Sequence, residues 1–206
     1  MTTLNLQVGA GANDADEADD GSDFSYVRSG ASYDSHTSDA SARYNVGTRW
    51  PSLAVPKGAT IDSATYWCWC LYTVGEYDDI DVVIYAEDVD DADDFATTQD
   101  VTSRTRTSAS VAWQETGVTP TAFNDSPDIK TVIQEVIDRA GWVENNDMVL
   151  LVIGGTTYNR IFPSRSYETG DGSSAPKLDI DYTPGGTAGR VASSRGVMRG
   201  VRRGVS

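Results

Sequence analysis

Apolar and polar positions alternate with a period of two through much of the chain, and this predicts strands rather than helices. Leu4, Leu6 and Val8 alternate with polar neighbours near the N-terminus. Further strands are predicted at 24–33, 42–50, 80–87, 108–114, 158–162 and 177–182, separated by turn-rich stretches such as the Ser/Asp/Thr segment between 33 and 42. Two runs break the simple rule. Residues 148–153 read M-V-L-L-V-I with no polar position, which predicts a central strand buried on both faces. Residues 55–72 begin as a Pro-Lys-Gly turn and continue as a strand with two apolar faces. Ala64, Tyr66, Cys68, Cys70 and Tyr72 share one face; Thr65, Trp67, Trp69 and Leu71 share the other.

One stretch has the helical period. Ile129, Val132, Ile133, Val136, Ile137 and Ala140 form a single apolar stripe. Ser126 suits the N-cap, Pro127 the first helical position, Asp128 the positive end of the dipole and Gly141 the residue past the end, so a helix is predicted over about 127–140. Many short strands with one helix predict an all-β fold, a jelly-roll β-sandwich over residues 1–183. Beyond it, residues 184–206 hold five arginines and no acid among Gly, Ser and Val, and predict an extended C-terminal arm.

Charge narrows the function classes. The chain has 31 Asp and Glu against 16 Lys and Arg, a formal net charge of −15, and without the arm's five arginines the body carries −20 (−15 − 5). Nucleic acid and anionic membrane surfaces are therefore poor partners for the body. Asp-rich, Lys-poor surfaces suit either high salt or plain solubility. No apolar run reaches the ~18 residues of a membrane-spanning helix, and the N-terminus has no basic-then-apolar signal pattern, so neither membrane insertion nor secretion is expected.

The acids cluster in two stretches. Residues 9–21 are predicted as a loop whose carboxylates suit either solvent or Ca²⁺. Asp88, Asp90, Asp91, Asp93 and Asp94 form the stronger metal candidate, with a solvated loop as the alternative. Cys68 and Cys70 lie two apart on one strand face, a poor disulfide geometry, and are expected as buried free thiols. A zinc site lacks further ligands, since His36 is the single histidine. That histidine sits in a polar turn, and carboxylates are too abundant for any pair to stand out, so no catalytic residues are assigned.

V-P-K-G-A-T-I-D-S-A-T at 55–65 resembles the opening motif of DNRLRE-like modules, which are jelly-roll sandwiches similar in shape to carbohydrate-binding modules. The Trp113 strand, the helix near Pro127, Ser164, Arg165 and Glu168 in F-P-S-R-S-Y-E, and the closing strand from Pro176 to Tyr182 fit the same pattern. The resemblance spans about residues 1–183 and implies a surface or viral structural protein. The register it implies turns Tyr66 and Cys68 inward and Trp67, Trp69 and Leu71 outward.

A lone surface-type sandwich without a signal peptide is then expected as a non-enzymatic virion component, assembled in the host cytoplasm: a capsid decoration, turret or tail-associated subunit. Trp67, Trp69 and Leu71 are expected as a subunit interface in a homo-oligomer, as a face covered by the chain's own segments, or as a platform for a host-surface glycan. Arg190, Arg195, Arg199, Arg202 and Arg203 are expected to dock the arm on acidic neighbouring virion proteins.

Overall fold

The computed structural model describes residues 1–19, 24–29, 34–38, 43–70, 79–95, 101–154, 160–167 and 172–185. Twelve strands and one α-helix follow in order: β1 (Thr2–Gln7), β2 (Asp14–Asp19), β3 (Phe24–Ser29), β4 (Asp34–Ser38), β5 (Arg43–Trp50), β6 (Thr60–Trp69), β7 (Asp79–Ala86), β8 (Val111–Thr116), β9 (Phe123–Asp125), α1 (Lys130–Ile137), β10 (Met148–Gly154), β11 (Arg160–Ser164) and β12 (Lys177–Thr183). They form two antiparallel sheets. The small sheet runs β1-β12-β6-β9; the large sheet runs β11-β4-β5-β10-β7-β8, with β2 paired to β5 and β3 to β2. The all-β sandwich with one short helix is as the strand periodicity predicts.

Alternation builds the core between the sheets. Ala64, Tyr66, Cys68 and Cys70 from β6 and its end meet Leu178 and Ile180 from β12, and face Val46, Ile80, Val82, Ile84, Leu150 and Val152 of the large sheet. Tyr66 is the pivot. Its ring stands edge-on to Trp50 at 6.1 Å and to Trp113 at 6.5 Å, joining β6 to β5 and β8 across the sandwich. Its hydroxyl lies 3.3 Å from the Thr48 hydroxyl, so the buried phenol keeps a polar partner. Both cysteines are buried and unbonded, as expected.

β10 explains its unbroken apolar run. It pairs β5 on one side and β7 on the other. Met148, Leu150 and Val152 point into the main core, while Val149 and Leu151 point outward into a second cluster with Ala15, Ala92, Phe95 and Val101. The segment after β7 therefore covers the outer face of the large sheet.

The acidic stretch predicted as a loop carries a strand. Gly11–Asn13 makes a 3-10 turn and Asp14–Asp19 is β2, antiparallel to both β3 and β5. Its acids are sheltered: Asp14, Asp16 and Glu17 are at most 3% exposed. Glu17 Oε2 accepts the Val101 and Thr102 N–H groups at 2.8 and 2.7 Å, and Asp14 Oδ2 accepts the Tyr167 N–H at 2.7 Å. Carboxylates can stay buried when they accept such donors. The polar segment at 33–42 likewise contains β4, and Phe123–Asp125, where no strand is predicted, is a short strand beside β6.

The helix is shorter than its apolar stripe, and the residues expected to begin it do another task. Ser126 Oγ accepts the Tyr66 N–H, Asp128 Oδ1 accepts the Ala64 N–H, and Gln134 Oε1 accepts the Ile61 N–H, at 2.8 to 3.0 Å. Ser126 N and Ile129 N return bonds to the Tyr66 and Ala64 carbonyls. Together they occupy the edge of β6 beyond the three residues of β9. A bulge at Asp62 shifts the register between Asp181/Ser63 and Tyr182/Ile61, which keeps both Ile61 and Ala64 inward. The turn before β6 is as predicted: Gly58 has φ +77°, a conformation that Pro-Lys-Gly supplies without steric cost.

Candidate functional site

The outer face of the small sheet carries the predicted tryptophans. β6 alternates, so the burial of Tyr66 and Cys68 sends Trp67 and Trp69 to the opposite side, where both are half-buried. Leu71 lies outside the described residues, as do Arg190, Arg195, Arg199, Arg202, Arg203 and Glu168.

Neighbouring strands complete the patch. Register sets Trp67 between Lys177 of β12 and Asp125 of β9, and Trp69 opposite Phe123. The Trp69 and Phe123 rings meet edge to face, 5.0 Å apart at 89°, and the Lys177 ammonium sits 3.7 Å from the Phe123 ring centre. Trp67 Nε1 donates to Asp179 Oδ2 at 2.9 Å, and Asn5 Nδ2 donates to Asp179 Oδ1 at 2.7 Å. One carboxylate thus fixes the indole and ties β1 to β6 across β12. The result is an aromatic ridge with a polar border, and the perpendicular rings do not lie flat side by side.

Phe123, Lys177 and Asp179 were not singled out in the sequence. Lys177 and Asp179 carried a signal, since K-L-D-I-D-Y alternates and places them outward. Phe123 carried none, because a three-residue strand has no readable period. Ser164 and Arg165 hold the end of the ridge: Ser164 bridges Cys70, and Arg165 N donates to the Trp69 carbonyl at 3.0 Å.

The aspartates proposed for a metal do not converge. Arg139 pairs with both Asp88 and Asp90, and the hydrogen bond it donates to Asp90, offset in part by burial, raises its pKa above the ordinary arginine value. Asp91 Oδ1 accepts the Asp147 N–H at 2.7 Å. Arg104 pairs with Glu87 at 2.6 Å and donates to the carbonyls of Asp93 and Asp94. Arg49, bonded to Asp147, also holds the Ala92 carbonyl. Three arginines thus lace the acidic segment onto the sheet. Among the described residues no group of three His, Cys, Asp or Glu side chains is placed to hold a metal ion.

An open groove of about 440 Å³ runs along the helix beside Gln134, Glu135, Asp138 and Arg139. Its polar groups are engaged in structure: Glu135 accepts the Ser108 and Ala109 N–H groups, and Gln134 donates to Asp138. For His36 the structure describes the strand β4 that contains it. No helix among the described residues is long and apolar enough to cross a membrane. No family model matches the chain, and no curated protein matches it.

Proposed function

We propose that the chain is a non-enzymatic structural subunit of a virus particle, a capsid decoration, turret or tail-associated component of a tailed virus assembled in the host cytoplasm. It seats on a neighbouring virion protein through the outer face of the small sheet and is fastened by its C-terminal arm. The observation that carries this reading is the ridge of Trp67, Trp69 and Phe123, half-buried aromatics bordered by Lys177, Asp179 and Asp125. Tryptophan in a polar rim is the composition of protein interfaces. The indole of Trp67 is held by Asp179 and the Trp69 ring packs on Phe123, so the ridge needs little ordering when it docks. The arm's five arginines complement an acidic neighbour, and the body's own charge of −20 is a surface of that kind. The jelly-roll module that residues 55–65 resemble points the same way.

A host-surface glycan is the second reading, favoured by the exposed polar residues Asn5 and Asp125 that flank the aromatics. Sugar platforms need a flat ring face, and the edge-to-face Trp69–Phe123 pair offers a ridge instead. A protein partner fits better.

Mass spectrometry of purified particles, comparing wild type with Trp67→Ala, Trp69→Ala and a deletion of 190–206, decides between them. Loss of the folded variants from particles is the expected result. Normal incorporation overturns the assembly reading, and glycan-array binding abolished by the same two substitutions establishes the glycan one.

A further inference from the structure

The two edges of the small sheet are treated differently by the sequence. At one edge β9 has three residues, and side chains from 126–134 occupy the β6 backbone groups beyond it. At the other edge β1 pairs only with β12 among the described strands. Thr2, Thr3, Asn5 and Gln7 are exposed, and Leu4 and Leu6 are half-exposed.

Edge strands are normally protected by charge, proline or a bulge. β1 reads T-T-L-N-L-Q: it has none of the first two, and its register with β12 is continuous from Thr2/Tyr182 to Gln7/Lys177. In a chain of net charge −15, six consecutive uncharged residues on an open edge form a neutral seam. Two copies can meet there without opposing like charges along the ladder.

The phase of the strand fixes how they would meet. Val8 N–H points to β12, donating to the Pro176 carbonyl at 3.0 Å. Alternation then directs the N–H and C=O groups of Thr3, Asn5 and Gln7 to the open side. Their side chains are already folded back over β12 and its approach: Thr3 Oγ1 donates to Asp181, Asn5 to Asp179, and Gln7 Nε2 to the Ser173 and Ala175 carbonyls at 3.0 Å. Nothing in these contacts leans across the edge.

We propose that β1 is a homodimer seam, in which β1 of a second copy adds antiparallel about a two-fold axis centred on Asn5. This goes beyond the partner docking assigned to the tryptophan ridge and does not depend on it. In this register Asn5 faces the second copy's Asn5, Thr3 faces its Gln7 as hydrogen-bonded pairs, and Leu4 lies opposite its Leu6 on the core side. The alternative centre on Leu4 forms fewer bonds and leaves Gln7 outside the ladder.

Light scattering and sedimentation of the full chain over a wide concentration series test the seam. Wild type is expected to be a dimer. Asn5→Pro removes an outward N–H, twice by symmetry, together with the Asn5–Asp179 bond, and should weaken dimerisation at least about tenfold. Asn5→Ala loses the Asp179 bond but keeps the N–H, and should stay dimeric. Circular dichroism checks that each variant is folded. Paired residues at the axis stand about 5.5 Å apart, within disulfide reach, so Asn5→Cys should cross-link under mild oxidation whereas Thr3→Cys should not. A monomeric wild type, a folded Asn5→Pro that stays dimeric, or a dimer that Asn5→Cys fails to cross-link each overturns the proposal. The tryptophan variants are read by incorporation and these by oligomeric state, so the two readings can fail separately.

Discussion

The Phe95 ring lies across Gly47 so closely that a Cβ on that glycine would stand 2.3 Å from Cζ. Phe95 is fully buried on the outer side of the large sheet, and the Arg104 guanidinium lies over its ring, 4.3 Å from the ring centre. The glycine is therefore a slot for a ring, and its small size is what lets the segment after β7 close down on β5.

Gly47→Ala should destabilise the fold by about 1–3 kcal/mol, since overpacking a filled site forces ring or backbone to shift. Combining it with Phe95→Leu should cost less than the sum of the two single changes, because the smaller side chain vacates the slot. Urea denaturation of the four proteins in that cycle measures the coupling; strict additivity would show that the ring and the glycine are independent.

Arg104 is a buried charge in this layer, with its side chain 4% exposed and Glu87 12%. Arg104→Leu should cost about 3–5 kcal/mol, most of it from leaving the Glu87 carboxylate buried without its guanidinium. Arg104→Lys should recover only part of that loss, because an ammonium cannot span Glu87 and the carbonyls of Asp93 and Asp94 together. A lysine variant as stable as wild type in urea would show that charge alone suffices.

Asp128 links stability to acid. Burial pushes its carboxyl up, but the N–H bonds from Ala64 and Lys130 and the nearby Lys130 ammonium together outweigh this and hold its pKa below the ordinary value of 3.8. A depressed carboxyl binds its proton more weakly in the folded state, so its contribution is full above 3.8 and lost as pH falls through the lower folded value. Asp128→Asn keeps an oxygen for the Ala64 N–H and removes the charge. Its Tm should lie below that of wild type at neutral pH and converge with it in strong acid. A gap of constant size across that range would assign the effect to geometry.

Legibility in the sequence followed burial pattern more than chemistry. β6, β7, β10 and β12 announced themselves because each buries alternate or all residues against a core, and the inward set of Tyr66, Cys68 and Cys70 followed from parity alone. β2 did not, because D-A-D-E-A-D has the composition of a solvated loop. What makes it a strand is supplied by Val101, Thr102 and Tyr167, far along the chain, whose N–H groups meet its carboxylates. The helix start failed for a related reason. Ser126 and Asp128 have cap chemistry, but the donors they meet include N–H groups of β6, and Asp128 serves Lys130 as well. The tryptophan ridge was half legible: the spacing on β6 gave Trp67 and Trp69, while Phe123 and the perpendicular packing depended on a strand too short to show a period.

The oxygens of Ser126, Asp128 and Gln134 also limit the length of one sheet edge. A sheet that could add a strand at either edge would be a monomer unit for a fibre. Here one edge of the small sheet has its β6 donors occupied from within its own chain, which leaves only the three residues of β9 there against the six of β1 at the other edge. Two copies joined through β1 would give a ribbon of eight strands, four from each copy, with the three-residue β9 at either end.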